Sequence, residues 1–130
     1  MEAPLEISGA KTVSLFVAKQ LYDDGAVFID VREAADWSVG HIMGSVNLDV
    51  GDTEFTILYV SEKLNRNTPV VFYNSSPLDF KGALASQFAV NWGYKNVYFF
   101  RDGFYSWMAA DLPVELKMAN QVQPEKFVSR

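Results

Sequence analysis

Three short apolar runs occur at intervals along the chain, at residues 26–29, 70–73 and 97–100. None of them alternates between apolar and polar positions, as a strand with one face in water would. An unbroken run of this length is typical of a strand that is buried on both faces, which is the usual environment in a parallel sheet. The pattern therefore predicts three central strands.

Helical spacing of apolar residues fills the intervals between these runs. Ser14 is a suitable N-cap for a first helix, and Gly25 stands where a helix-ending glycine is expected. Further helices are predicted over about residues 54–64 and 81–92, and a short one follows the third run. Helices that alternate with buried strands predict an α/β domain with right-handed crossovers and a mostly parallel sheet.

The length of 130 residues predicts a single domain that occupies residues 1–130. We expect its core to span about residues 12–115, after a polar lead-in over residues 1–11. Residues 116–130 are weakly patterned and are predicted to form a C-terminal extension.

The formal net charge is −5, and the chain contains no run of Lys or Arg. An acidic chain without a basic stripe is poorly suited to a phosphate backbone, so we expect no nucleic-acid partner. No apolar stretch approaches the roughly 20 residues that span a bilayer, and no transmembrane segment is predicted. The first residues have neither the basic nor the apolar region of a signal peptide. A cytoplasmic location and export of a mature form both stay open.

Cysteine is absent from the chain. Its absence excludes disulfides, thiolate metal sites and a thiol nucleophile. His41 is the only histidine, and a single histidine without a ligand cluster is a poor metal site. We therefore predict no metal and no cofactor, and we expect His41 to hydrogen-bond the backbone of the turn before Gly44.

In open α/β sheets, ligands bind beyond the carboxyl ends of the strands. Here that rule indicates Asp30 and Arg32 after the first apolar run, and residues 74–82 after the second. Asp30 and Arg32 either contact a ligand or brace a neighbouring loop by charge-assisted hydrogen bonds. Bracing is the more common role for such a pair at the end of a strand, and we favour it here.

The last third of the chain is rich in aromatic residues. Their spacing favours ordinary core packing, and the alternative is an exposed surface for a partner. These residues are Tyr98, Phe99, Phe100, Phe104, Tyr105 and Trp107.

Residues 28–33 read FIDVRE and residues 40–48 read GHIMGSVNL. Together they resemble the D-V-R…G-H-I-x-G-A-x-N-L signature of the rhodanese (sulfurtransferase) family. The GYKNVY of residues 93–98 resembles the G-Y-x-N-V-Y that leads into the last strand of that family. Trp107 and the LPV of residues 112–114 resemble its closing motif.

The resemblance implies a rhodanese-like α/β fold, with a five-stranded, mostly parallel sheet and helices on both faces. It also implies a catalytic cysteine at the start of a loop between a strand and a helix, which takes up sulfane sulfur as a persulfide. The N–H groups of that loop and the positive end of the following helix cradle the anionic donor and lower the thiol pKa.

The corresponding loop in this chain, residues 73–82, reads YNSSPLDFKG and carries no cysteine. Continuity with the strand aligns the lost cysteine with Asn74, whereas the spacing of members with shorter loops aligns it with Ser76. A two-cysteine form of the loop, C-N-G-P-E-C-W-K-S, aligns both Asn74 and Asp79 with cysteines, and we favour this alignment. In every alignment the nucleophile is missing.

The resemblance and the missing nucleophile together predict a catalytically inactive domain that binds a partner protein or a small anion through this loop. Asp79 is expected either to lie in the cradle as an internal anion or to point into solvent. The residues expected to form the binding surface are Asn74, Ser75, Ser76, Asp79, Phe80, Lys81 and Gly82, with support from Asp30, Arg32 and His41.

Three alternative functions stay open. The first is an enzyme with residual non-thiol chemistry, such as weak phosphoester hydrolysis. Its nucleophile would be Ser75 or Ser76, which needs an adjacent base. The only candidate base of the usual kind is His41. The second is a sulfurtransferase whose native cysteine has been replaced by engineering, and the third is a purely structural subunit.

Overall fold

The three apolar runs form adjacent strands at the centre of a sheet. The computed structural model describes residues 2–61 and 64–117. Its elements, in chain order, are β1 (Ala10–Thr12), α1 (Leu15–Asp23), β2 (Val27–Asp30), α2 (Ala34–Val39), β3 (Gly40–Ile42), β4 (Val46–Asn47), a 3₁₀ turn (Thr53–Thr56), α3 (Ile57–Val60), β5 (Val70–Tyr73), α4 (Lys81–Asn91), β6 (Val97–Phe100), α5 (Gly103–Ala109) and β7 (Val114–Leu116).

The main sheet has five strands in the order β1-β6-β5-β2-β4. All of its strand pairs are parallel. The predicted α/β class and the predicted five-stranded sheet are thus confirmed. Strands β3 and β7 form a separate antiparallel pair.

Both faces of the sheet are covered, which explains why the central strands show no alternation of apolar and polar residues. In β5, Val70 and Phe72 face a cluster with residues of α3 and α4. Their neighbours Val71 and Tyr73 face a second cluster with residues of α1 and α5. Successive side chains of a strand point to opposite faces, and here each face is a core.

The first helix begins and ends where predicted. The Ser14 side chain accepts a hydrogen bond from the N–H of Val17, and Gly25 has a φ of +87° just beyond the last turn. Both features satisfy backbone requirements at the helix ends.

The helix predicted over residues 54–64 is wrong in extent, because in the described residues a 3₁₀ turn and one helical turn end at Val60 and Ser61 is extended. Backbone carbonyls that a longer helix would use are taken by side chains instead. The Tyr94 hydroxyl donates to the Leu58 carbonyl at 2.7 Å, and Arg66 Nη2 donates to the Tyr59 carbonyl at 3.0 Å.

Several short elements have no counterpart in the sequence prediction. Edge strand β1 begins in the expected lead-in and pairs with β6. Elements α2, β3, β4 and β7 were also not predicted. Strand β7 crosses the expected start of the C-terminal extension, most of which, residues 118–130, lies outside the described residues. The division into core and extension therefore stays a prediction.

The aromatic residues of the last third are mainly core residues. Phe99, Phe100 and Trp107 are fully buried and Phe104 nearly so, whereas Tyr105 is exposed. Among the described helices, none has the length and apolar character that a membrane crossing requires.

Tyr73 connects the main sheet to the β3–β7 pair. Its hydroxyl accepts a hydrogen bond from the N–H of Ile42 at 3.0 Å and lies 2.9 Å from Ser45 Oγ. Burial raises the pKa of this phenol far above its usual range, and the negative charge of Asp30 raises it further. Tyr73 therefore keeps its proton and is neutral in the folded state.

The substitution Tyr73→Phe is expected to lower the free energy of unfolding by roughly 1–3 kcal/mol, because it leaves a buried N–H at Ile42 without an acceptor. Urea unfolding followed by circular dichroism measures the change. The matched control is Tyr105→Phe, at an exposed position, which should unfold like the unsubstituted chain. Equal stability of the two variants would contradict the role assigned to Tyr73.

The raised pKa of Tyr73 also predicts how stability depends on alkaline pH. In the unfolded chain a tyrosine loses its proton at about pH 10, whereas the folded Tyr73 keeps it. Above about pH 10, the unfolded state therefore binds fewer protons than the folded state. The free energy of unfolding then falls as the pH rises above about 10, and Tyr73 causes no such fall at lower pH. The drop in unfolding free energy between pH 8 and pH 11 should be smaller for Tyr73→Phe, and an unchanged drop would count against the shift.

Candidate functional site

The segment between β5 and α4, residues 74–80, lies at the carboxyl edge of the main sheet, as predicted. It is flanked by the turn between β6 and α5, residues 101–102. We call residues 74–82 the β5–α4 loop, which includes the first two residues of the helix. Every position that the sequence aligned with the family's cysteine lies in this loop.

Asn74 is the first residue of the loop and is fully buried. Its Oδ1 accepts a hydrogen bond from the N–H of Gly82 at 3.2 Å. Its Nδ2 donates to the carbonyls of Ser76, at 2.9 Å, and Arg101, at 3.2 Å. The side chain thus ties the start of α4 and the end of β6 to the loop.

Other N–H groups of the loop also donate to oxygens within the loop. The N–H of Leu78 donates to Ser76 Oγ at 3.3 Å, and that of Asp79 donates to the Ser76 carbonyl at 3.0 Å. The N–H of Lys81 donates to Asp79 Oδ1 at 3.0 Å. Together with Gly82, four residues of the expected anion cradle donate to internal acceptors.

The carboxylate of Asp79 is half-buried beside the first turn of α4. A negative charge is stabilised at this end of a helix by the unpaired N–H groups and the helix dipole. The two expectations for Asp79 stay predictions, since its carboxylate is partly exposed and accepts a local hydrogen bond from a residue two positions on. The carboxylate receives a single loop N–H, however, because Asn74 receives that of Gly82.

The backbone around Asn74 is packed too closely for larger residues. A Cβ atom at Gly82 would lie 2.5 Å from Asn74 Oδ1, and one at Gly103 would collide with the Asn74 carbonyl oxygen. Gly103 also has a φ of +80°, which an L side chain rarely adopts. The N–H groups of Phe104 and Tyr105 then donate to the carbonyls of the loop's first two residues.

The N-terminal segment lies against the loop, which the sequence did not indicate. The N–H of Ala3 donates to the Pro77 carbonyl at 2.7 Å, and Arg101 Nη2 donates to the Ala3 carbonyl at 2.9 Å. An alanine in a polar lead-in carries no signal for such a contact. Arg101 lies in the turn between β6 and α5, and the sequence analysis assigned no role to its side chain.

The outer surface of the loop is apolar at two positions. Leu78 is 69% exposed and Phe80 is 49% exposed, whereas Ser75, Ser76 and Lys81 are half-buried. The most exposed side chains of the loop are therefore apolar.

Asp30 and Arg32 form a buried ion pair at the end of β2, where Asp30 is the register partner of Tyr73. Arg32 Nη2 lies 2.7 Å from Asp30 Oδ2, and Arg32 Nε lies 3.0 Å from Oδ1. Burial lowers the pKa of Arg32, but hydrogen bonding and the charge of Asp30 outweigh it and raise the pKa above its usual value. Arg32 Nη2 also donates to the Gly40 carbonyl at 2.6 Å, so the pair braces the start of β3.

His41 hydrogen-bonds backbone, but not in the expected turn. Its Nδ1 lies 2.7 Å from the carbonyl oxygen of Trp37, in α2, and its ring stacks on the Trp37 indole at 3.8 Å. Its Nε2 lies 3.6 Å from the Glu115 carboxylate. The expected partner was wrong because the sequence did not predict α2. This helix brings the Trp37 carbonyl, four residues before His41 in the sequence, within reach of the imidazole.

Within the described part of the chain, no hydrogen bond joins His41 to Ser75 or Ser76. The nucleophile and base that residual hydrolysis would need are thus not paired. No group of three or more acidic or histidine side chains within residues 2–61 and 64–117 is placed to hold a metal ion.

Comparison with known proteins agrees with this architecture. Residues 16–110 match the rhodanese-like domain family. The thiosulfate sulfurtransferase GlpE of Pseudomonas entomophila is 31% identical over 101 residues, which cover 78% of this chain and 87% of that protein. GlpE of Haemophilus influenzae is 26% identical over 98 residues, covering 75% and 88%.

A solved structure shows the same fold. The human single-domain sulfurtransferase TSTD1 superposes with a TM-score of 0.63 at 27% identity, covering 75% of this chain and 95% of its own. The matched residues include β2, the β5–α4 loop and α5, and this chain has no cysteine at any of them. The chain therefore belongs to the rhodanese-like domain family and lacks the cysteine on which sulfurtransferase chemistry in that family depends.

Proposed function

We propose that the chain is a catalytically inactive rhodanese-like domain that binds a partner protein through the outer surface of the β5–α4 loop. One observation carries the proposal. The loop that would hold a persulfide has no thiol, and four of its N–H groups donate to oxygens of the loop itself.

Sulfur relay requires a side chain that can attack sulfane sulfur and carry it as a persulfide. A thiolate does both, and no oxygen side chain replaces it. Asn74, directly after β5, has an amide in place of a nucleophile. This chemistry supports an inactive domain.

The hydrogen bonds of the loop favour a protein partner over a small anion. An anion that binds the N–H groups of Lys81 and Gly82 would have to displace the Asp79 carboxylate and the Asn74 amide oxygen from them. Displacement of a buried hydrogen-bonded amide leaves polar groups unpaired and costs about 1–3 kcal/mol. Leu78 and Phe80, by contrast, offer exposed apolar surface of the kind that partner proteins cover.

The unsubstituted chain is expected to form no thiocyanate from thiosulfate and cyanide. The thiolate of the variant Asn74→Cys should instead attack the sulfane sulfur of thiosulfate, form a persulfide and release sulfite, and intact-protein mass spectrometry detects the added sulfur atom. The substitution removes the amide that occupies the Gly82 N–H and places a thiol beside that donor, which lowers the thiol pKa.

Asp79→Cys is the matched variant for that experiment. It keeps the Asn74 amide in the loop and is expected to gain no sulfur. Turnover by the unsubstituted chain would contradict the proposed inactivity. Sulfur uptake by Asp79→Cys alone would place the family's cysteine position at residue 79.

The partner surface is tested by a photo-crosslinking amino acid at Leu78. In an extract of the source cells, this variant is expected to form a discrete protein adduct. The adduct should disappear when the same chain also carries Phe80→Asp. The matched control carries the crosslinker at Phe16, which is also exposed but lies on α1. An equal pattern of adducts at both positions would contradict a specific surface at the loop.

A small-anion site gives a different result in a thermal-unfolding titration. Saturable stabilisation by sulfate or thiosulfate, beyond that of chloride at the same ionic strength, would show that an anion binds the folded state. We expect none, because four N–H groups of the loop already donate to oxygens of the loop itself.

A further inference from the structure

Strand β7 has one edge that no described residue pairs with. In its antiparallel pair with β3, the N–H of Met43 donates to the Pro113 carbonyl and the N–H of Lys117 donates to that of Val39. Hydrogen-bonded pairs alternate with non-hydrogen-bonded pairs along such a ladder. The N–H and C=O groups of Val114 and Leu116 therefore point away from β3.

The opposite edge of the β3–β7 pair is already satisfied. The Gly40 carbonyl accepts from Arg32, and the Ile42 N–H donates to Tyr73. On the β7 side, no hydrogen bond of Val114 or Leu116 to a described residue occupies the outer groups, and the pair has only two strands. An open edge of this kind accepts another strand.

A small cavity of about 200 Å³ lies against the β3–β7 pair, with the paired residues Gly40 and Leu116 in its wall. Side chains of α2 and α5 complete the apolar lining, and they include Val39, Tyr105 and Met108, which are all partly exposed. Pockets for drug-sized ligands measure about 300–1,000 Å³. The volume here suits a single side chain inserted from an adjacent strand.

Arg32 supplies a polar group to this cavity. Its side chain is 4% exposed, stands 4.7 Å from the centre of the Phe104 ring, and uses Nε and Nη2 for the bonds to Asp30 and Gly40. Nη1 has no hydrogen-bond partner among the described residues. Every fully buried side-chain nitrogen and oxygen of those residues has a partner, so Nη1 is not fully buried. Nη1 therefore keeps contact with solvent, and Arg32 lines the cavity.

The charged groups at the cavity carry a net negative charge. Arg32 lines the cavity, and two carboxylates act on its charge, those of its ion-pair partner Asp30 and of Asp36, which is exposed in the cavity wall. The formal net charge of the chain has the same sign, at −5. Complementarity favours a basic segment.

We propose that the outer edge of β7 binds an extended segment of a partner protein, which inserts one apolar side chain into this cavity and carries Lys or Arg beside it. Val114 and Leu116 pair with the backbone of the segment, Arg32 Nη1 donates to one of its carbonyl oxygens, and Asp36 faces its basic residue. No residue of the β5–α4 loop lines this cavity. The inference thus concerns a second surface and goes beyond the proposed function.

The test uses the full chain and a fluorescent peptide, Lys-Thr-Val-Leu-Val-Thr-Lys, blocked at both ends, with binding followed by fluorescence polarisation. Its matched probe has Glu in place of both Lys residues and should bind more weakly. The variant Leu116→Pro removes the outward N–H without removing a bond to β3, and Leu116→Ala keeps that N–H. We expect Leu116→Pro to bind roughly tenfold more weakly than Leu116→Ala, as loss of one backbone bond predicts.

A second pair of variants needs no change in the strand. Asp36→Lys should weaken binding of the basic peptide severalfold and strengthen binding of the acidic one, and both effects should shrink in high salt. Its control is Glu54→Lys, at an exposed position in the 3₁₀ turn. Leu78→Asp, in the β5–α4 loop, should leave peptide binding unchanged, which separates this inference from the proposed function.

Several results would overturn the inference. They are no binding of the basic peptide, equal binding by Asp36→Lys and Glu54→Lys, loss of binding in Leu78→Asp, and binding that appears only when residues 118–130 are deleted. The last result would assign the edge to the chain's own C-terminal residues. A dimer in light scattering that the peptide dissociates would likewise assign it to a second copy of the chain.

Discussion

The side-chain amide of Asn74 joins three parts of the fold that meet at the carboxyl edge of the sheet. It accepts from the first turn of α4 and donates to the β5–α4 loop and to the end of β6. It is fully buried, so each of these bonds replaces a bond to water that folding removed. Two glycines, Gly82 and Gly103, give it room. The conformation of the loop follows from this amide.

The same arrangement explains how a sulfurtransferase scaffold persists without its chemistry. A persulfide site needs N–H groups that are directed at an empty position, and such groups are costly when they are left unpaired. Here the amide of Asn74 and the carboxylate of Asp79 accept those N–H groups. The loop is thereby stable without a ligand, and the surface that it presents to solvent is the apolar one formed by Leu78 and Phe80.

Buried polar groups elsewhere in the fold act as braces as well. Arg32 holds the start of β3 through the Gly40 carbonyl, and Tyr73 holds its end through the N–H of Ile42. These bonds use the inner edge of the β3–β7 pair, and no hydrogen bond to a residue that the structure describes occupies the outer edge of β7. The scaffold and the second proposed surface thus share one hydrogen-bond network.

The long elements were predictable because their signals are local. An unbroken apolar run identifies a strand covered on both sides, and Ser14 and Gly25 mark helix ends through their own backbone and side-chain chemistry. The elements that were missed are short. For example, helix α2 has 6 residues and strand β7 has 3. Partners distant in sequence stabilise them, and their own residues carry little pattern. The helix predicted after residue 54 ended early for the same reason, because Tyr94 and Arg66 bind its carbonyls.

The sequence alone determined the family and the missing thiol, because the first depends on motifs of adjacent residues and the second on a simple absence. It also placed the candidate site after β5, since the polarity of a parallel sheet sends each strand to the same edge. Only the tertiary structure decided what fills the site and which surfaces stay free. The N–H groups of the loop bind acceptors within the loop itself, but the conformation that aligns them is held by bonds across tens of residues, such as that of the Asn74 amide to Arg101. The edge of β7 likewise depends on the bond of Met43 to Pro113, and no local pattern records such distances.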